Sequence, residues 1–257
     1  MSESVKISGV VITYNEEKNI GQCLASLSEV VDEIIVVDSY SKDHTINICR
    51  DYNAKVVQRA FDGYIEQKNH AASLANFDYI LSLDADEVLS EKMIREILKI
   101  KSNPGYDIYI FNRLNNYCGV WIRHGGWYPD QKKRLWKKNK AQWGGTNPHD
   151  MLIPEMDASI KHVKADIHHY GYESIEEHLS QINKFSDITA RAKYHEGKKS
   201  NLFIHVILNP GFKFIKRYFF QLGFLDGYYG FVFCAIASLN NFLKYLRLFE
   251  YHRRGDI

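Results

Sequence analysis

Residues 79–89 read YILSLDADEVL, and the fold follows from what that stretch becomes. An apolar, β-rich run, Tyr79-Ile80-Leu81-Ser82-Leu83, ends abruptly in three carboxylates, Asp84, Asp86 and Glu87. Side chains two apart in a strand share a face, so Asp84 and Asp86 are expected to point the same way where the strand leaves the core. Two aimed carboxylates make a seat for Mg2+ or Mn2+, hard cations that prefer carboxylate oxygens and keep positions open for substrate phosphates. The same residues also read as a solvated acidic turn before a helix capped by Ser90.

Upstream, the β-branched run Val5–Thr13 reads as a buried first strand that breaks at Tyr14-Asn15-Glu16-Glu17, with Asn15 as a candidate helix N-cap. Ile20, Cys23, Leu24 and Leu27 follow at the 3-4 spacing of a helix face packed on a sheet. A second strand, Glu33–Val37, ends at Asp38. A second helix carries Ile46, Ile48 and Cys49, a third strand spans Ala54–Gln58, and a helical segment covers Gln67–Leu74 before YILSL. Strand and helix alternating in this way predict an α/β fold, a mostly parallel, Rossmann-like sheet with crossover helices. Ligands of such sheets collect at the carboxyl ends of the strands. Thr13-Tyr14-Asn15-Glu16, Asp38-Ser39, Arg59 and Asp84-x-Asp86 are therefore expected at one rim. Neither GxGxxG nor the P-loop lysine motif occurs after the first strand, which argues against a dehydrogenase or a P-loop kinase.

The 257 residues, 45% hydrophobic and 25% charged, suit one α/β domain with an appendage, and the formal charge of +2 argues against a nucleic-acid partner. Cys23, Cys49, Cys118 and Cys234 are scattered without a CxxC pair, which fits a reducing cytosol. The start, MSESVKISGVVIT, carries an acidic residue and a short β-branched run, so no export signal is expected.

TYNEE at 13–17, VVDSYSKDHT at 36–45, R-x-F-x-G-Y-x-x-Q-K-N at 59–69 and LSLDADE at 81–87 together resemble the family 2 glycosyltransferases of GT-A fold. The resemblance points to small bacterial enzymes that add a sugar, often glucose, to the inner core of lipopolysaccharide or lipooligosaccharide. It implies that Thr13, Tyr14, Glu16 and Asp38 line the nucleoside pocket, with Asp38 accepting the uracil imide hydrogen. It further implies that Arg59 and Lys68 lie near the nucleotide, that Asp84 contacts the ribose or metal side, and that Asp86 holds a divalent cation, Mg2+ or Mn2+, on the diphosphate. Taken singly, Asp38 also reads as a turn with Ser39 and Ser41, Arg59 as a surface cation, and Tyr14 as a core aromatic.

Tyr106–Arg113 reads as another strand, and residues 115–150 are rich in aromatics, glycine and cations. Trp121, Trp127, Tyr128, Trp136 and Trp143 are candidate sugar platforms, most of them expected in core or turn packing. Lys132, Lys133, Arg134, Lys137, Lys138 and Lys140 read either as a solvated strand or turn or as an attraction for a phosphorylated glycolipid or anionic membrane. In the resembling family a GG-x-x-x-His-acid segment supplies the catalytic base. WGGTNPHD, residues 143–150, matches it with Asp150 in place of the usual glutamate. Asp130 and Glu87 are lesser candidates, and His149 is a candidate for ordering the loop or approaching the metal. His168 or His169, before a helix capped at Ser174, offers an imidazole ligand, with His169 preferred.

The last stretch, RYFFQLGFLDGYYGFVFCAIASLNNFLKYLRLFEYHRR, is aromatic and aliphatic with cations around it. Gln221, Asp226 and glycines interrupt it, so a spanning helix is not expected. An interfacial helical region suits it better. The division expected is a catalytic domain over 1–170 and a helical region for membrane or acceptor association over 171–257. The function expected is an inverting, metal-dependent hexosyltransferase, by resemblance a β-glucosyltransferase, peripheral at the inner face of the cytoplasmic membrane. It would move a sugar from a UDP-sugar to a lipid-linked saccharide. A nucleotidyltransferase and a non-catalytic glycan-assembly subunit are the alternatives.

Overall fold

The computed structural model describes residues 4–147 and 149–255, with the backbone alone at His149. The first four strands, β1 (Ile7–Thr13), β2 (Glu33–Asp38), β3 (Lys55–Gln58) and β4 (Tyr79–Asp84), run parallel, with β1 between β2 and β4 and β3 outside β2. Helices α1 (Ile20–Ser28), α2 (Thr45–Asp51) and α3 (Tyr64–Ser73) make the crossovers. Strands covered on both faces are apolar throughout, and β1 and β4 are buried along almost their whole length. Ile20, Cys23, Leu24 and Leu27 of α1 are fully buried, as their spacing predicts, and each large aliphatic there contributes about 1.5–3 kcal/mol.

After β4 come β5 (Glu87–Leu89), α4 (Glu91–Ser102), β6 (Ile108–Tyr117), β7 (Val120–Ile122) and β8 (Asp130–Lys137). Strands β9 (Ala141–Thr146) and β10 (His149–Pro154) form a separate hairpin, and β11 (Ile160–Tyr172) returns to the main sheet. The sheet order is β3-β2-β1-β4-β8-β6-β11-β5, parallel at the first end and antiparallel where β8 meets β4. Ser90 caps α4 by accepting from the Met93 amide at 3.2 Å, worth about 1 kcal/mol.

Two local expectations are corrected. Asn15 does not cap a helix: its φ is +54°, and α1 begins only after Asn19. The Asn15 side chain accepts from the Lys42 amide and its own amide donates to Ser41 Oγ, tying the loop after β1 to the loop after β2. Asp84 and Asp86 do not share a strand face either. Strand β4 ends at Asp84 and Asp86 lies in the turn before β5, so the two carboxylates meet different partners.

Internal contacts group residues up to Leu114 with Asp130–Tyr170, and Asn115–Pro129 with Gly171 onward. The second unit is largely helical: α5 (Ile175–His195), π-helical turns at Leu202–Leu208 and Lys216–Phe220 flanking α6 (Asn209–Ile215), and α7 (Gly227–Arg254). Ser174 caps α5 by accepting from the Glu177 amide. Tyr117, Ile122, Phe233 and Cys234 form this unit's core, with Trp127 stacked on Phe233 at 4.2 Å. Cys23, Cys49, Cys118 and Cys234 are all free thiols.

Candidate active site

The carboxyl ends of β1 and β2 are bound together by polar side chains. Thr13 ends β1 opposite Asp38 at the end of β2. Asp38 is fully buried; it accepts from the Ser41 hydroxyl, from the Ser41 amide at 2.9 Å and from Gln58 Nε2 at 3.3 Å. The turn with Ser41 is therefore real, although a carboxylate has about four lone-pair sites and retains capacity for another donor. Thr13 is 5% exposed and its Oγ1 has no hydrogen-bond partner among the described residues. Buried hydroxyls are rarely left so. Tyr14 is half exposed beside it, as is Tyr40 in the loop after β2. Glu16 is held by Asn19 Nδ2 at 2.9 Å, and its amide donates to Thr45 Oγ1.

Arg59 follows β3 and is clamped by Asp62 at 2.6 Å, the Glu66 carbonyl and Gln67 Oε1, both at 2.9 Å. Gln67 in turn donates to Ser39 Oγ at 3.0 Å, which links α3 to the end of β2. Thr13, Tyr14, Glu16, Asp38 and Arg59 thus share the rim predicted for them, formed by the ends of three adjacent parallel strands.

At the end of β4 the chemistry changes. Lys68 of α3 is 5% exposed, yet its Nζ lies 2.8 Å from Asp84 Oδ1 and 2.8 Å from Asp150 Oδ2. It also sits 4.6 Å from the Trp143 ring centroid. What brings Asp150 to it is the β9–β10 hairpin, with Asp150 paired to Gly145. Asn69 clasps that hairpin to α3, donating to the Trp143 carbonyl and accepting from the Trp143 amide. Asn147 does the same at Glu66 and the Ile65 amide. Glycine is favoured at Gly145, where φ is +102°.

Arg134, from the basic run, is not solvated. It is 3% exposed and its Nη2 lies 2.6 Å from both Asp84 Oδ2 and Glu87 Oε1. Glu87, wholly buried, also meets Arg113 at 3.3 Å and accepts from the Asp84 amide, so it is a structural anchor rather than a base. Burial alone would raise the Asp84 carboxyl, but Arg134 and Lys68 outweigh it and hold it well below the ordinary carboxylate range. Burial likewise opposes the Arg134 charge, and Asp84 with Glu87 reverses that and raises it. The sequence offered Glu87 as a lesser base candidate and Arg134 as one of a basic run, but showed neither as part of a buried charge network, and Arg113 only as the end of a strand; a cation flanked by apolar Leu135 and Trp136 was the available signal.

Asp86 meets His169 instead, Oδ2 to Nε2 at 3.2 Å, because β11 pairs with β5 in a register that places His169 opposite Glu87. Among the described residues no group of three or more His, Cys, Asp or Glu side chains is placed to hold a metal. Asp86 and His169 are an oxygen and a nitrogen donor of the kinds that Mg2+ or Mn2+ accepts. The side chain of His149 lies outside the described residues. Of the candidate platforms, Trp136 is 1% exposed and serves the core, Trp121, Trp127 and Tyr128 lie in the second unit, and Trp143 alone reaches the site.

A cavity of ≈ 650 Å³ opens beside these groups, bounded by Lys68, Asp84, Arg134, Trp143 and Asp150 at one end and by β8 and β6 beyond. A parallel sheet with crossover helices gathers a ligand site at the carboxyl ends of its strands, and here those ends carry a polar rim and convergent carboxylates. The family model described as Glycosyl transferase family 2 matches residues 8–159, and the chain belongs to that family with the GT-A fold expected from its motifs. An uncharacterised glycosyltransferase of Rickettsia typhi is 31% identical over 95% of this chain and 87% of its own. The lipopolysaccharide core biosynthesis glycosyltransferase LpsC of Rhizobium meliloti is 24% identical over 98% of this chain and 95% of its own. Among solved structures, S. aureus TarS 1–349 in complex with UDP-GlcNAc aligns at 16% identity with a TM-score of 0.47, covering 98% of this chain and 92% of that one.

Proposed function

We propose that the chain is an inverting, metal-dependent glycosyltransferase that moves a hexose, glucose by resemblance, from a UDP-sugar to a lipid-linked saccharide such as the lipopolysaccharide inner core. The observation that carries this is the meeting of Asp150 with Lys68 and Asp84, residues 82 and 66 positions away in sequence, at the rim that also bears Thr13 and Asp38. LpsC, named for lipopolysaccharide core biosynthesis, supports the acceptor class.

In this reading Thr13, Tyr14, Glu16 and Asp38 hold the nucleoside, and Arg59 and Lys68 face the nucleotide. Asp86 and His169 would hold Mg2+ or Mn2+, which when bound neutralises charge on the diphosphate. Asp150 takes the proton of the acceptor hydroxyl as its oxygen bonds to the sugar C1. The bond from C1 to the diphosphate oxygen breaks, and UDP leaves with the electron pair, so configuration at C1 inverts. Lys68 orients Asp150 in the resting site and supplies positive charge close to the departing diphosphate. A nucleotidyltransferase is disfavoured by the acidic TYNEE loop after β1, where a triphosphate would need glycine and cations.

The second unit is proposed to lie on the membrane that carries the acceptor. No single helix among the described residues is long and apolar enough to cross a bilayer. Residues 202–220 expose Phe203, Ile207, Phe212, Phe219 and Phe220, and carry Lys213, Lys216 and Arg217 with no acidic residue. Exposed aromatics with cations suit an anionic lipid interface. Binding of UDP-sugars tests the donor assignment: affinity should be metal-dependent for one sugar, and Asp86→Ala should lose the metal dependence. Equal affinity with and without EDTA would remove the metal from the mechanism.

A further inference from the structure

The lining of the ≈ 650 Å³ cavity includes residues of β6 and β8, on the side of β4 away from β1 and β2, and several of them are cations. Sheet order sets the direction: β2 and β1 carry Asp38 and Thr13, β4 carries Asp84, and β8 and β6 lie beyond. Those cations include Lys132, Lys133 and Arg113, none of them on the strands that hold the nucleoside. Their partners differ. Arg113 is neutralised by Asp130 at 2.7 Å and Glu87 at 3.3 Å, and Lys132 meets Asp130 at 3.1 Å. Lys133 is half-buried, and its partner among the described residues is the Leu152 carbonyl at 3.1 Å, a neutral acceptor two residues past Asp150. An ammonium has three donors, and one carbonyl takes one of them. Keeping such a cation partly out of water beside a neutral group costs free energy that an anionic ligand would recover.

We infer that this wall is an acceptor subsite for an anionic substituent, a phosphate monoester or a carboxylate on the acceptor saccharide, read by Lys133, while Arg113 and Lys132, on the other face of the β6–β8 ladder, stay with Asp130. The assignment rests on the transferase reading, because it takes the donor to occupy the β1–β4 end. It sorts the basic run: Lys133 lines the cavity, Arg134 bridges Asp84 and Glu87, Lys132 pairs with Asp130, Lys138 serves the Ser73 and Ala75 carbonyls and Lys140 pairs with Asp157. The substrate is then a saccharide carrying negative charge near the hydroxyl presented to Asp150.

The test is calorimetric titration of the full chain with inorganic phosphate, glucose 6-phosphate, glucuronate and glucose, in wild type and in Lys133→Gln, Lys133→Arg and Lys137→Gln. Glucose 6-phosphate or glucuronate should bind at least about tenfold more tightly than glucose, the factor expected of one charge-assisted hydrogen bond. The better of the two names the anion. Lys133→Gln should abolish the preference, Lys133→Arg should restore it, and exposed Lys137→Gln should leave it unchanged. Glucose binding as well as its phosphate, or a preference that survives Lys133→Gln, would overturn the subsite. UDP release from UDP-sugars, measured separately on the wild type, distinguishes the failures. Release without anion preference sinks the subsite alone, and anion preference without release sinks the transferase while leaving the cavity's selectivity standing.

Discussion

Removing the Arg134 charge should expose how the site is held together. Its guanidinium, 3% exposed, bridges Asp84 and the wholly buried Glu87, each at 2.6 Å. In Arg134→Met the stem is replaced but two carboxylates lose their shared cation; Glu87 keeps Arg113 at 3.3 Å and Asp84 keeps Lys68 at 2.8 Å. Breaking a buried pair in this way costs about 3–5 kcal/mol, because charge is left uncompensated out of water. With a urea slope of about 2–3 kcal/mol/M, the midpoint should fall by about 1–2.5 M. The fluorescence of Trp136 and Trp143 beside the site reports the transition. Adding Glu87→Gln, which keeps an acceptor for the Asp84 amide while removing the charge, should recover much of the loss. A loss below about 1 kcal/mol, the range of solvated surface pairs, would refute the claim that this network is buried and charged. Failure of Glu87→Gln to recover stability would show that packing, not charge, sets the cost.

Three further outcomes follow from the second unit. His178 is 5% exposed, hydrogen-bonded to Tyr117 at 3.0 Å, and burial depresses it to about 4. An unfolded histidine titrates near 6.5, so the unfolded state binds more protons between these values. Stability should therefore fall by about 3 kcal/mol as pH drops from about 6.5 to 4, and His178→Phe should flatten that limb in thermal melts. At Gly230 a Cβ would lie 2.1 Å from the Gly223 carbonyl oxygen and 2.8 Å from Asp226 Cβ, so Gly230→Ala should destabilise by about 1–3 kcal/mol, read as a lower melting temperature. Phe212→Glu with Phe220→Glu should cut sedimentation with vesicles of 30% anionic phospholipid by about tenfold or more while the circular dichroism spectrum is retained; unchanged sedimentation would remove the lipid role.

The fold was legible where periodicity was local. The apolar runs at Ile7–Thr13 and Tyr79–Leu83, and the 3-4 spacing of Ile20, Cys23, Leu24 and Leu27, each report burial through side chains a few residues apart. The gathering of polar groups at the strand ends was legible where they follow such runs, as with Thr13, Asp38 and Asp84. It was not legible where partners are distant. Nothing near Asp86 announces that β11 will bring His169 to it, and the Asn69 clasp on Trp143 spans 74 residues. Arg134 was obscured by a different cause: a run of cations looks solvated, yet burial is decided by which residues pair with β4 and β6. Asp84 and Asp86 misled because strand alternation holds only while the strand continues, and β4 stops between them.

UDP release by purified Asp150→Asn beside the wild type tests the central claim most directly, with the donor sugar found by binding, Mg2+ or Mn2+, and a membrane extract as acceptor source. The substitution is nearly isosteric and removes the proton-accepting charge that sits 2.8 Å from Lys68. A base of this kind is worth about 10²–10⁴ in rate, so Asp150→Asn should lose acceptor-dependent UDP release by that factor while binding UDP as tightly as the wild type. Release at the wild-type rate would contradict the assignment of Asp150 and, with it, the mechanism drawn through this site.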